Sequence, residues 1–256
     1  MDRKLINGSM NDEQIKEVIK NVAKDSVFAK IHLDEILQVL DKYKGTKVID
    51  SATELEKELS QKSALVKAMF FYLQGLYDDA WEILSVFSED LDYEICFLKG
   101  MVLAEKKEYE IARKHFMNAL KFVNTDKARA HFDLGICWYQ ESSYEKAIQE
   151  FDEAIGVKKD YLVAYNSKAL ALKRLGKVNE AIKELQKIID IDKKNDKAYY
   201  NLACYYSILK NPEAALKNLA ISFDLNSVRK DKSGEDPDFI NIKELPEFKK
   251  LIVNKG

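Results

Sequence analysis

Only three prolines and nine glycines interrupt 256 residues. Proline ends helices and punctuates loops, so this scarcity excludes a proline-rich linker or a collagen-like chain and leaves room for long helices. Cysteine is as rare. Cys96, Cys137 and Cys204 contain no CxxC pair, so neither a disulfide framework nor a structural zinc site can be built from them. They read as small apolar residues in a reducing compartment. Cys204 has a functional alternative as a reactive thiol. His32, His115 and His131 are scattered, with none at ligand spacing from another histidine or a cysteine. No metal and no cofactor are expected.

Charge of one sign is also missing: 41 Lys and Arg oppose 43 Asp and Glu, a net charge of -2. Without a global positive field, nucleic acid could be held only by a local patch. No apolar run approaches the roughly 18 residues needed to span a bilayer. The polar opening Met1-Asp2-Arg3-Lys4 has no signal-like apolar core after it. A cytoplasmic chain without membrane contact is therefore expected. Catalytic signatures are lacking too: GxSxG, HExxH, GxxxxGK and GxGxxG do not occur. Carboxylates such as Asp78-Asp79 and Glu89-Asp90 fall at helix ends and on solvent faces, where charge usually only solvates. The sequence reads as non-enzymatic.

What the chain does contain is a repeat. Ala112, Ala147, Ala181 and Ala215 recur 34 or 35 residues apart, each twelve residues after Gly100, Gly135, Ala169 and Ala203. A weaker member, Ala80 with Ala68, precedes them. Leu84, Phe116, Phe151, Leu185 and Leu219 stand four positions after the alanines, and Phe71, Leu103, Trp138, Leu172 and Tyr206 nine before. These columns have helical spacing on two consecutive helices. Links such as Glu141-Ser142-Ser143 and Leu175-Gly176-Lys177 are too short for anything but an antiparallel hairpin. Glycine inside a helix costs about 1 kcal/mol relative to alanine, so Gly100 and Gly135 call for a compensating close approach of the paired helices.

This pattern resembles the tetratricopeptide repeat, whose signature is met by His131, Leu134, Gly135, Trp138, Ala147 and Phe151 with two conservative departures. The resemblance covers five units, 61–92, 93–127, 128–161, 162–195 and 196–229. The first is weakest, since Ala64 and Lys67 sit where bulky apolar residues belong. The family's proline near the repeat end is replaced by Asn124, Lys159 and Lys193. The resemblance implies an all-α fold, a right-handed superhelical α-solenoid of antiparallel helix pairs. Residues 1–60 are expected to form an N-terminal helical extension, with apolar stripes at Ile15, Val18, Ile19 and Val22 and at Phe28, Ile31, Ile36, Leu37 and Leu40. Residues 230–256 are expected to cap the last repeat through Phe239, Ile242, Leu245 and Phe248.

In this family the first helices line a concave groove that sets specificity. Carried over residue by residue, the lining is Leu65, Met69 and Tyr72, then Phe97 and Met101, then Phe132, Ile136 and Tyr139, then Asn166, Leu170, Lys173 and Arg174, and finally Lys197, Tyr200, Cys204 and Ser207. Such an apolar stripe is either an interaction site or inter-helix core. The leading expectation is a non-enzymatic scaffold or adaptor holding a peptide or helix of a partner protein, with Phe132, Tyr139 and Tyr200 as chief anchors. Lys173 and Arg174 would hold its acidic flank. The alternative is a regulatory module that binds a nucleic-acid strand or a small ligand through Lys173, Arg174, Lys197 and Arg129. Relatives that clamp the C-terminal carboxylate of heat-shock chaperones need Lys and Asn, Asn, then Lys and Arg. The corresponding Phe132, Ile136, Ser167, Lys197 and Asn201 fit only at Lys197, so no tight binding to chaperone tails is expected.

Overall fold

A computed structural model describes residues 64–253 apart from 66, 89–91 and 123–125. The expected N-terminal extension, residues 1–60, lies outside the described residues. Every regular element among the described residues is helical. After helical residues 67–73 come α1 (Tyr77–Ser85), α2 (Tyr93–Glu105), α3 (Tyr109–Ala119), α4 (Lys127–Gln140) and α5 (Tyr144–Val157). They are followed by α6 (Leu162–Arg174), α7 (Val178–Ile191), α8 (Asp196–Ile208) and α9 (Pro212–Leu225). Two single 3-10 turns, Ser227–Arg229 and Pro237–Phe239, and two short helices, α10 (Lys230–Ser233) and α11 (Pro246–Val253), complete the chain. It divides into two compact units, up to Cys137 and from Trp138.

Each first helix ends in the same way. Gly75, Lys107, Ser142, Gly176 and Lys210 all have positive φ, between 55° and 74°. The amide of the next residue then reaches back to the first-helix apolar column, as Leu76 to the Phe71 carbonyl, Glu108 to Leu103, Ser143 to Trp138, Lys177 to Leu172 and Asn211 to Tyr206, at 2.8–2.9 Å. A second bond runs from each left-handed residue to the carbonyl three before it. This is the Schellman closure, which satisfies carbonyls that the helix end leaves bare. It reverses the chain within three residues. Asn195 and Asn211 then cap the following α8 and α9 by accepting the amides of Ala198 and Ala214.

The repeated columns form the core. Ala80, Ala112, Ala147, Ala181 and Ala215 are fully buried, as are Leu84, Phe116, Phe151, Leu185 and Leu219 one turn later. Gly100 shows why small residues hold the partner column. A Cβ there would lie 2.6 Å from the Phe116 ring, so only glycine admits that ring against α2. In the second unit Leu172, Leu185, Leu202, Ala203, Leu219 and Phe223 share one apolar cluster with Phe239, Ile242 and Phe248 from the C-terminal segment.

Candidate functional site

The first-helix residues separate sharply by burial. In the first unit Leu65, Met69, Tyr72, Phe97, Met101, Phe132 and Ile136 are all buried. Phe132 has no exposed surface, which corrects its expected role as a chief anchor: it has no ring face to offer a partner. Around it the groove columns pack on one another. Tyr93 stacks on Phe97 at 5.5 Å, and the Arg129 guanidinium lies 3.9 Å from the Phe97 ring centroid with an Nη donating to Met101 Sδ. Arg129 is therefore buried under its own neighbours and is not available as a strand-binding cation.

The second unit presents a different surface. Tyr139, Leu170, Lys173 and Tyr200 are half-buried, Arg174 and Lys197 are exposed, and Asn166 and Cys204 are buried. Asn201 donates to Asn166 Oδ1 at 2.7 Å, tying α8 to α6 along this face. Here the C-terminal segment does more than cover the last repeat. Asp238 makes an ion pair with Lys173, while Asp236 accepts the Tyr200 hydroxyl at 2.8 Å and lies 4.0 Å from Cys204 Sγ. Phe239 meets the Tyr200 ring edge-on at 5.5 Å, and Asn241 donates to the Ser207 carbonyl. The chain's own Asp-Pro-Asp-Phe stretch thus lies on the face predicted for a partner, holding two carboxylates against a cation and a phenol and burying an aromatic ring.

Two sequence expectations change as a result. Lys173, expected to meet an acidic flank of a partner, is already neutralised from within the chain. Cys204 is no reactive thiol: burial and then the nearby Asp236 and Asp238 carboxylates push its pKa up, holding it protonated. The ligand atoms of Cys204, Asp236 and Asp238 do lie within 4.8 Å of one another. Both carboxylates are already taken up within the chain, Asp238 by Lys173 and Asp236 by the Tyr200 hydroxyl.

One cation on this face remains open. Arg174 donates through Nε to the Tyr139 hydroxyl at 3.3 Å, and that contact, first among the causes, pushes its pKa further up. Tyr139 is held in turn by an edge-on contact with Tyr144 at 5.4 Å. The role of Asp236 and Asp238 was missed in the sequence. The available signal was a pair of aspartates flanking a proline directly before a phenylalanine, in a segment already expected to cap the last repeat.

Two family models match the chain. The model for tetratricopeptide repeats matches residues 97–161, and the model for the N-terminal tetratricopeptide-repeat region of Psidin matches residues 137–229. The chain is a tetratricopeptide-repeat protein. Among solved structures, this repeat protein is similar to MamA 41-end from Desulfovibrio magneticus RS-1, at 19% identity and a TM-score of 0.58 over 66% of this chain and 96% of that one. That likeness shows the shared fold. Among curated proteins, it is 23% identical over 186 residues to the small glutamine-rich tetratricopeptide repeat-containing protein 2 of Saccharomyces cerevisiae, covering 70% of this chain and 45% of the relative. A second match, to the human protein O-mannosyl-transferase TMTC3, is 34% identical over 91 residues, a tenth of that protein. The repeat protein thus spans less than half the length of either curated relative. No helix among its described residues is long and apolar enough to cross a membrane.

Proposed function

We propose that this repeat protein is a non-enzymatic adaptor whose first-helix face, at the end of α4 and along α6, holds an extended or helical segment of a partner protein. Repeated helix pairs are interaction scaffolds, and they present such faces at a cost in exposed apolar surface. The observation that carries the reading is the seating of Asp236, Asp238 and Phe239 on Lys173 and Tyr200. This face has the chemistry to hold an extended segment, and Tyr139, Leu170 and Arg174 beside it keep surface to spare. The three free, buried cysteines fit a reducing cytoplasm, where we locate the chain.

A nucleic-acid reading fits less well, since Arg129 is buried and Lys173 is paired. The test is to truncate Tyr139 and Leu170 to Ala, check that helicity and melting temperature persist, and measure binding to the protein that co-purifies with the chain. Loss of affinity with intact stability supports the adaptor. Unchanged affinity, or binding that falls steeply with salt and depends on nucleic acid, overturns it.

A further inference from the structure

Arg174 is the last residue of α6, exposed, and fixed by a single side-chain bond through Nε to the Tyr139 hydroxyl. Among the described residues neither of its Nη groups has a hydrogen-bond partner. A guanidinium anchored at Nε keeps its outer edge oriented, and that planar edge matches the two oxygens of a carboxylate. Next to it in sequence, Lys173 already holds the Asp238 carboxylate. The end of α6 is therefore a place where this fold seats an acid, once from within and with one cation left over. Leu170, one helical turn before Arg174 and half-buried, supplies an apolar floor on the same side of the helix.

Resting on the adaptor reading, we propose that Arg174, steadied by Tyr139, is the acid-binding point of this face. The partner segment it receives carries an aspartate or glutamate next to an apolar side chain that lies on Tyr139 and Leu170. The two acids bind side by side: the chain's own Asp238 stays on Lys173, and the partner's carboxylate takes the outer edge of Arg174. Nothing has to be displaced, which suits the complete burial of Phe239.

The probe is a blocked peptide copying residues 234–240, Gly-Glu-Asp-Pro-Asp-Phe-Ile, whose composition this face already accepts, and a twin without carboxylates, with Gln for the Glu and Asn for both Asp. Each is titrated into the full chain by fluorescence anisotropy. The acidic peptide should bind and the twin should bind about tenfold more weakly, the usual worth of a charge-assisted hydrogen bond. Arg174→Gln should bring the acidic peptide down to the twin's affinity without changing the melting temperature, and Arg174→Lys should recover only part of the loss. The inference is overturned if neither peptide binds, or if both bind equally. It is also overturned if Arg174→Gln has no effect while Asp236→Asn with Asp238→Asn strengthens binding, because the peptide would then be replacing the chain's own segment. A partner that is lost with Tyr139→Ala yet indifferent to Arg174→Gln sinks this inference and leaves the adaptor reading standing.

Discussion

Replacing the three non-glycine residues at the hairpin turns should stabilise the protein. Lys107, Ser142 and Lys210 hold φ of 65°, 60° and 55°, the left-handed region that Gly75 and Gly176 occupy in the equivalent turns. An L-residue there costs about 1–2 kcal/mol, while glycine gives back roughly 0.5–1 kcal/mol through the freedom it adds to the unfolded chain. The difference predicts a gain of about 0.5–1 kcal/mol for Lys107→Gly and for Lys210→Gly. Ser142→Gly should gain less, because Ser142 Oγ also accepts the Tyr144 hydroxyl at 3.3 Å. The sites are distant in sequence and share no partner, so their effects should add. The triple variant should melt about 3–6 °C higher, at roughly 2–4 °C per kcal/mol for a chain of this size. The assay is thermal and urea unfolding followed by circular dichroism, with Gly176→Ala as the converse control expected to destabilise. A triple variant no more stable than wild type, with Gly176→Ala neutral, would refute the Schellman account of these turns.

Gly100→Ala should destabilise by about 1–3 kcal/mol, because its Cβ would meet the Phe116 ring at 2.6 Å, and Phe116→Leu in the same chain should recover part of the loss in urea unfolding. Phe239→Ala should cost about 3–5 kcal/mol by leaving a cavity beside Phe248 and Tyr200, and should raise the exchange rate of amides in the C-terminal segment above that of α6. Burial raises the Asp196 carboxyl pKa, but hydrogen bonds from Arg229 and Asn226 outweigh it and leave that pKa below its ordinary value. The resulting stabilisation is present above the unfolded-state pKa of about 3.9 and is lost as pH falls through the lower folded value. Arg229→Gln should raise the Asp196 pKa in a carboxyl NMR titration, and an unmoved titration would refute the pairing. Cys204 should resist iodoacetamide at pH 8 in the folded chain and react after unfolding in urea; rapid alkylation of the native protein would contradict its burial.

The repeat was legible because it is written in residue size. Alanines at a near-constant interval, with aromatic or leucine side chains four positions on, leave few other ways to stack helices, and each of those positions is buried. The turns were only half legible: Gly75 and Gly176 announce a left-handed residue, whereas Lys107, Ser142 and Lys210 adopt it without any such mark. Helical spacing names the face on which Phe132 and Tyr139 lie but not what covers that face, so one proved fully buried and the other half-buried. The seating of Asp238 on Lys173 joins residues 65 positions apart. No local pattern encodes that contact, and of the two cations expected to hold an acidic flank it occupies Lys173 and leaves Arg174.

The most direct test of the adaptor account is the affinity of the chain for the protein that co-purifies with it, measured by calorimetry for wild type, Tyr139→Ala, Arg174→Gln and Lys183→Ala. Lys183 is an exposed residue of the second helix α7 and serves as the control. The account predicts that Tyr139→Ala and Arg174→Gln each weaken binding about tenfold or more at unchanged melting temperature, as expected for central anchor residues, while Lys183→Ala binds like wild type. Full affinity in both first-helix variants, with the loss in Lys183→Ala instead, would contradict it and move the partner to the opposite side of the repeats.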